Sequence, residues 1–151
     1  MRQLRRNSRA IDVTDTGLAV VIYCDGGSRG NPGPAAIGAV VYDANDLSKV
    51  LACVSECIGV ATNNVAEYRA LIAGLVAAKE QGARCVAVRA DSELVVRQLE
   101  GRYKVKNAGL RPLFEKAREL LREFDEVDIA HVRREDNVDA DALVNAALDA
   151  L

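Results

Sequence analysis

Four acidic positions in this 151-residue chain stand where a carboxylate has more to do than meet solvent. Asp25 follows the apolar run Leu18 to Cys24 and opens a turn rich in glycine and proline, Gly26 to Pro34. Glu67 comes just after Thr62-Asn63-Asn64, and Asp91 closes the run Val86 to Ala90. The last apolar helix offers Asp139 and Asp141, one on each margin of its stripe, and periodicity alone does not choose between them. Carboxylates gathered from such distant points into one cleft repel unless cations compensate them, so the set makes physical sense as a divalent-metal site. Oxygen ligands without a His/Cys cluster point to Mg²⁺, with Mn²⁺ as a substitute. Two such ions ~3.5–4 Å apart can activate a water and stabilise the departing oxygen in phosphodiester hydrolysis, with no nucleophilic side chain.

Each acid also has an ordinary reading. Asp25 suits a turn, and Asp91 suits a helix N-cap before Ser92-Glu93-Leu94. Glu67 would complement a helix dipole, although it shares a face with Leu71 and Gly74 and should lean toward the sheet. Glu135 and Asp136 read as dipole partners on a solvated turn.

The elements that must position these acids follow from the apolar pattern. Residues 1–17, with Arg2, Arg5, Arg6 and Arg9 and no apolar period, read as a basic flexible tail, and 18–151 as one folded domain. Leu18 to Cys24, Ala35 to Tyr42 and Val50 to Ile58 are strand-like runs separated by turn chemistry, which predicts an antiparallel meander. From Asn64 to Gln81 the period becomes helical, with cap candidates in Thr62, Asn63 and Asn64 and a stop at Gly82. A strand from Arg84 to Ala90, reached through that helix, can lie parallel to the first by a right-handed crossover. There follow a short helix Ser92 to Glu100, a basic loop Gly101 to Asn107 and a helix from about Ala108 to Phe124. A strand Val127 to Val132 and an amphipathic helix through Ala140, Leu143, Val144, Ala147, Leu148 and Leu151 end the chain. The class is α/β with a mixed five-stranded sheet, and Asp25 and Asp91 fall at the carboxyl ends of two neighbouring parallel strands, where ligands of open α/β sheets gather.

Composition narrows the setting. Half of the residues are apolar, enough for one core. No apolar run approaches the ~20 residues of a membrane span, and the Arg-rich start lacks the apolar segment of a secretory signal, so a cytoplasmic monomer without membrane association is expected. Cys24, Cys53, Cys57 and Cys85 lack CxxC spacing, and there is one histidine; this argues against zinc and for buried free thiols. The formal net charge of -2 conceals a segment, Arg97 to Arg122, with eight basic residues against three acidic ones. Taken alone, that run reads as a solvated helix face.

Together, Tyr23-Cys24-Asp25-Gly26-Gly27 through Asn31-Pro32-Gly33-Pro34, Thr62-Asn63-Asn64-Val65-Ala66-Glu67, Asp91-Ser92 and Asn137-Val138-Asp139-Ala140-Asp141-Ala142-Leu143 resemble type 1 ribonuclease H, over nearly everything from Leu18 to Leu151. The resemblance implies the ribonuclease H-like fold, with strand order 3-2-1-4-5 and helices on both faces. It also implies an endonuclease that cuts the RNA strand of RNA/DNA hybrids by two-metal-ion catalysis, leaving 5′-phosphate and 3′-hydroxyl ends. The catalytic, metal-binding acids would be Asp25, Glu67, Asp91 and Asp141, the family's Ala-Asp-x-Leu pattern selecting Asp141 over Asp139. Gly26, Gly27, Ser28, Arg29 and Asn31, with Thr62, Asn63 and Asn64, would border the minor groove, where 2′-hydroxyls distinguish RNA from DNA.

The chain departs from the family in two places. Where many members carry a histidine-x-x-histidine arrangement, this chain has His131 and Arg134. His131 shares strand parity with Val127 and Ile129 and reads equally well as an inward strand residue; Arg134, in the loop beyond, is preferred over it, to reach the scissile phosphate or to help release product. The long basic, Trp-rich protrusion of some bacterial members is absent, and Tyr103, Lys104 and Lys106 in the short basic loop are the candidates for sugar and phosphate contact. A silent hybrid- or RNA-binding module and an integrase-like DNA nuclease are the competing readings. All four acids argue against the first, and the Thr-Asn-Asn and glycine-rich motifs against the second. The glycines do not make a dinucleotide fingerprint, because Pro32 and Pro34 lead into a strand-like run. A chain stopping inside its last helix at Leu151 also fits the front part of a longer protein, since some actinobacterial relatives fuse such a domain to a phosphatase-like partner.

Overall fold

The structure is a computed structural model that describes residues 17–151. The basic tail expected at 1–17 therefore lies outside the described residues, apart from Gly17. Strands β1 (Leu18–Ser28), β2 (Gly33–Asp43) and β3 (Asp46–Ala61) form the antiparallel meander. Helix α1 (Asn63–Glu80) crosses to β4 (Ala83–Ala90), which pairs parallel to β1. Helices α2 (Glu93–Leu99) and α3 (Arg111–Leu121) lead to β5 (Glu126–His131), parallel to β4, and a 3-10 turn at Arg134–Asp136 leads into α4 (Val138–Asp149). The sheet order is β3-β2-β1-β4-β5, the order the family resemblance implies.

Alternation along the strands assigns a helix to each face. Ile22, Ile37, Ala39 and Val41 point into the main core with Tyr68, Leu71 and Leu75 of α1. Ala36 points the other way and packs with Val144 and Leu148 of α4. Gly38 sits directly beneath α4: a Cβ there would come within 2.4 Å of the Ala140 carbonyl oxygen, so the helix can lie this close only over glycine. On the edge strand, Ser55 Oγ donates to the Leu143 carbonyl at 2.7 Å and Cys57 Sγ to that of Ala147 at 3.0 Å, which secures α4 over β3.

Several boundaries and environments differ from expectation. β1 runs on through Asp25 to Ser28, because β2 continues to pair with it after β4 has stopped at Ala90. β3 starts at Asp46 rather than Val50, its first turn closed by bonds from Ser48 to the Asp46 carboxylate. α3 starts at Arg111 rather than Ala108, since the Asn107 side chain accepts the amides of Gly109 and Leu110 and holds that stretch in a turn. The thiols expected to be buried are so only at Cys24; Cys53 and Cys57 are exposed on the edge strand and Cys85 is partly exposed on β4. Among the described residues no helix is long and apolar enough to cross a membrane.

Candidate active site

β1 and β4 run parallel as far as the Cys24–Ala90 pair, and the next residue on each is an acid, Asp25 and Asp91. Gly26 brings the third acid to them. A Cβ at Gly26 would stand 2.2 Å from the Ala66 carbonyl carbon, so glycine is what lets α1 approach β1 here. The Gly26 N–H then donates to Glu67 Oε1 at 2.8 Å. Asp25, Glu67 and Asp91 each present an oxygen within 4.8 Å of the other two.

The ordinary readings of these acids fail in the structure. Asp25 lies within a strand, not a turn, and is only 8% exposed. The cap of α2 is Ser92, whose Oγ accepts from the Val95 amide at 3.3 Å, so Asp91 is free of that duty. Glu67 turns toward β1 through its bond to Gly26. Asp141 lines the same cleft of about 500 Å³ from α4, outside the close triad. Asn145 Nδ2 donates to its Oδ2 at 3.3 Å, and Arg134 Nη2 lies 3.7 Å from its Oδ1. Asp139 faces away and accepts a 2.6 Å bond from the Tyr42 hydroxyl.

Burial, and then the neighbouring charges of Asp91 and Asp141, push the Asp25 carboxyl up to about 7, against the pull of Arg134. Burial, followed by Asp25 and Asp91, also holds Glu67 well above the usual carboxylate range, despite the bond from the Gly26 amide. The Cys24 thiol is raised by its burial and by the same three acids. No Lys, Arg or His among the described residues forms an ion pair with any of the triad. An oxygen-only donor set, buried at Asp25, half-buried at Glu67 and Asp91, and without an ion-pair partner of its own among the described residues, is suited to a hard divalent ion.

The glycine-rich turn and the start of α1 are locked together beside the cleft. Ser28 donates its amide (3.0 Å) and hydroxyl (3.1 Å) to Asn63 Oδ1, and the Asn63 amide donates to Asn31 Oδ1 at 3.0 Å. Thr62 caps α1, its Oγ1 accepting the Val65 amide at 3.2 Å. Asn64 is exposed on the first turn of α1. Gly26, Gly27, Ser28, Arg29 and Asn63 all line the acidic cleft; Arg29 is paired with Asp149 at 2.6 Å.

Three of the expected contact residues lie elsewhere. Tyr103, Lys104 and Lys106 border a separate hollow of about 410 Å³ with Gln98 and Phe114. The two candidates for the histidine role also part company: Arg134 lines the acidic cleft and His131 does not. Nor does His131 point inward, as one reading had it. It is exposed at the end of β5, with Nε2 3.2 Å from the Asp91 carbonyl oxygen, because β5 ends level with β4 at the Ala90–His131 pair.

One residue was given no role from sequence. Asn137, 1% exposed, donates from Nδ2 to the Cys24 carbonyl at 2.9 Å and to Asp91 Oδ2 at 3.2 Å. An asparagine just before an apolar helix reads as a cap, and nothing in the pattern reveals that its side chain is used elsewhere.

Comparison with known proteins agrees with this geometry. A family model described as reverse transcriptase-like matches residues 23–147. Ribonuclease HI of Halobacterium salinarum is 47% identical over 140 residues, covering 93% of this chain and 69% of that protein. The bifunctional protein Rv2228c of Mycobacterium tuberculosis is 53% identical over 133 residues, 88% of this chain and 36% of the relative, so the chain spans about a third of that protein's length. The solved N-terminal RNase H domain of Rv2228c superposes with a TM-score of 0.85 at 53% identity, covering 88% of this chain and 95% of that one. LC11-RNase H1, solved in complex with an RNA/DNA hybrid, gives 0.81 at 45% identity, covering 87% and 97%. The chain belongs to the type 1 ribonuclease H family.

Proposed function

We propose that this chain hydrolyses the RNA strand of RNA/DNA hybrids endonucleolytically, with Asp25, Glu67 and Asp91 holding divalent cations and Asp141 completing the set from α4. The observation that carries the reading is the convergence of three carboxylates, one buried and two half-buried, within 4.8 Å of one another in a chain of this family. Mg²⁺ is the natural ion for such ligands, and Mn²⁺ the substitute. When bound, two such ions supply activation of the attacking water and stabilisation of the departing oxygen.

The chain's own residues do the rest. The locked turn Gly26 to Asn31 and the Asn63 amide form a fixed edge against which the hybrid lies, with Asn64 exposed beside it. Arg134, at the cleft mouth beside Asp141, meets the scissile phosphate. The water oxygen bonds to phosphorus, the bond from phosphorus to the 3′-oxygen breaks, and that oxygen leaves with a proton, giving 5′-phosphate and 3′-hydroxyl ends. Lys104 and Lys106 add phosphate contacts from the side. A further domain joined to this one, in keeping with the length of the bifunctional mycobacterial relative, is part of the same proposal.

The test is incubation of end-labelled RNA/DNA hybrid, duplex RNA and duplex DNA with Mg²⁺, with EDTA, and with the Asp91→Asn variant. Mg²⁺-dependent scission of the RNA strand of the hybrid, lost in the variant, is the expected outcome. Hybrid binding without scission would favour a silent module, and cutting of duplex DNA an integrase-like nuclease.

A further inference from the structure

Asn137 sits at the N-cap of α4, a position whose side-chain oxygen ordinarily accepts an amide of the first turn, yet it makes no such bond. Its NH₂ group has two protons, and both are committed: one to the main-chain carbonyl of Cys24, the other to Oδ2 of Asp91. Those two acceptors are where the acids of the site are set. The Cys24 carbonyl belongs to the peptide that leads directly into Asp25, and Asp91 stands at the matching place on the neighbouring parallel strand. Meanwhile Asn137 Oδ1 is buried with no hydrogen-bond partner among the described residues. An unpaired buried acceptor is unfavourable, and an apolar residue of the same shape would avoid it, so stability alone does not account for an asparagine here.

We propose that Asn137 is a positioning residue of the metal site, its NH₂ group fixing the spacing of Asp25 and Asp91 and engaging Asp91 Oδ2 so that Oδ1 is presented to the cleft. The inference rests on the reading of the acidic cleft as a metal centre. Two carboxylates side by side on adjacent strands repel and would turn apart; a donor bridging one carboxylate to the backbone beneath the other opposes that rotation. His131 restrains the same acid from the β5 side, through the contact of Nε2 with the Asp91 carbonyl. Groups that orient metal ligands in this way typically affect metal affinity or activity ~10–100-fold.

The test uses the full chain carrying Asn137→Leu, which keeps the branched shape and removes both donors, alongside Asn137→Ala. Mn²⁺ alone is titrated by calorimetry, and kcat and KM are measured on an RNA/DNA hybrid at fixed Mn²⁺. The expected result is a loss of Mn²⁺ affinity of about tenfold or more, a comparable fall in kcat and a KM changed less than twofold, with circular dichroism unaltered. A folded variant that binds Mn²⁺ as wild type does, or that raises KM while kcat holds, would overturn the inference. A readout on the native protein needs no variant: on Mg²⁺ titration the Asn137 side-chain NH₂ resonances should shift with the midpoint of metal binding, and unmoved resonances would overturn the inference. Wild-type protein that takes up no Mn²⁺ would overturn the metal reading and this inference together; wild type and variant binding equally would overturn this inference alone.

Discussion

In the acidic cleft, three carboxylates project from within β1, from the residue just past β4 and from the first turns of α1, and hydrogen bonds from Gly26 and Asn137 hold two of them in place. In the loop between α2 and α3, Tyr103, Lys104 and Lys106 are exposed. That loop is anchored from beneath by Val105, 8% exposed, and by a relay in which the Tyr68 hydroxyl donates to Gln98 Oε1 at 2.5 Å and Gln98 Nε2 to the Lys104 carbonyl at 3.4 Å. Charge suited to hold an ion at a fixed distance is placed on rigid elements and wholly or half buried, at a cost in desolvation and repulsion. The lysines proposed for phosphate contact are left in water on a short loop.

The sharpest way to break this comparison is to neutralise one member of the triad. Asp91→Asn should lower the single-turnover rate of RNA cleavage by at least ~10²–10³-fold, the scale on which loss of one charge-stabilising group is felt, while hybrid affinity in a filter-binding assay changes little. Weakened binding with an intact rate would assign Asp91 to the substrate surface.

The second effect is on stability. The folded protein keeps protons on Asp25 and Glu67 that the unfolded chain releases above about pH 4. Without metal, the contribution of these two groups to stability should therefore be full below about pH 4 and fall as pH rises toward about 7, where Asp25 ionises in the folded state. Each retained proton contributes about 1.4 kcal/mol per pH unit to that fall. Urea midpoints at pH 5 and pH 8 in EDTA should show the decline, and saturating Mg²⁺ should shrink it. A stability rising with pH in EDTA would contradict the burial of these acids.

The same contrast explains what was legible in the sequence. Asp25, Glu67 and Asp91 were readable because each ends or opens an element with a strong apolar period, so their meeting follows from the topology. The selection of Asp141 over Asp139 rested on family resemblance, since both flank one stripe; the Asp139–Tyr42 bond, which settles where Asp139 points, joins residues 97 positions apart. Cys53 and Cys57 were misjudged because an edge strand and a central strand can carry the same apolar run, and only the sheet order reveals which side lacks cover. Asn137 and Gln98 escaped because a buried polar residue is identified by its partners, and theirs lie on other elements.

On the loop, effects should be smaller and of another kind. Lys104→Ala with Lys106→Ala should weaken hybrid binding and reduce the slope of log affinity against log salt by roughly 1.4–1.8, two phosphate contacts' worth, with kcat at saturation unchanged. An unaltered slope would remove the loop from the contact surface. Smallest on activity, Tyr68→Phe leaves Gln98 Oε1 without its donor; it should cost about 1–3 kcal/mol of stability and raise KM, while Mn²⁺ affinity stays at the wild-type value. A fall in Mn²⁺ affinity would show that loop and cleft are coupled through α1, which carries both Glu67 and Tyr68.

The most direct measurement of the central claim is anomalous diffraction from crystals soaked in Mn²⁺. The expected result is anomalous density between the carboxylates of Asp25, Glu67 and Asp91. Density confined to other acidic surfaces, such as the Asp43–Asp46 turn, or absent from the cleft at saturating Mn²⁺, would contradict it.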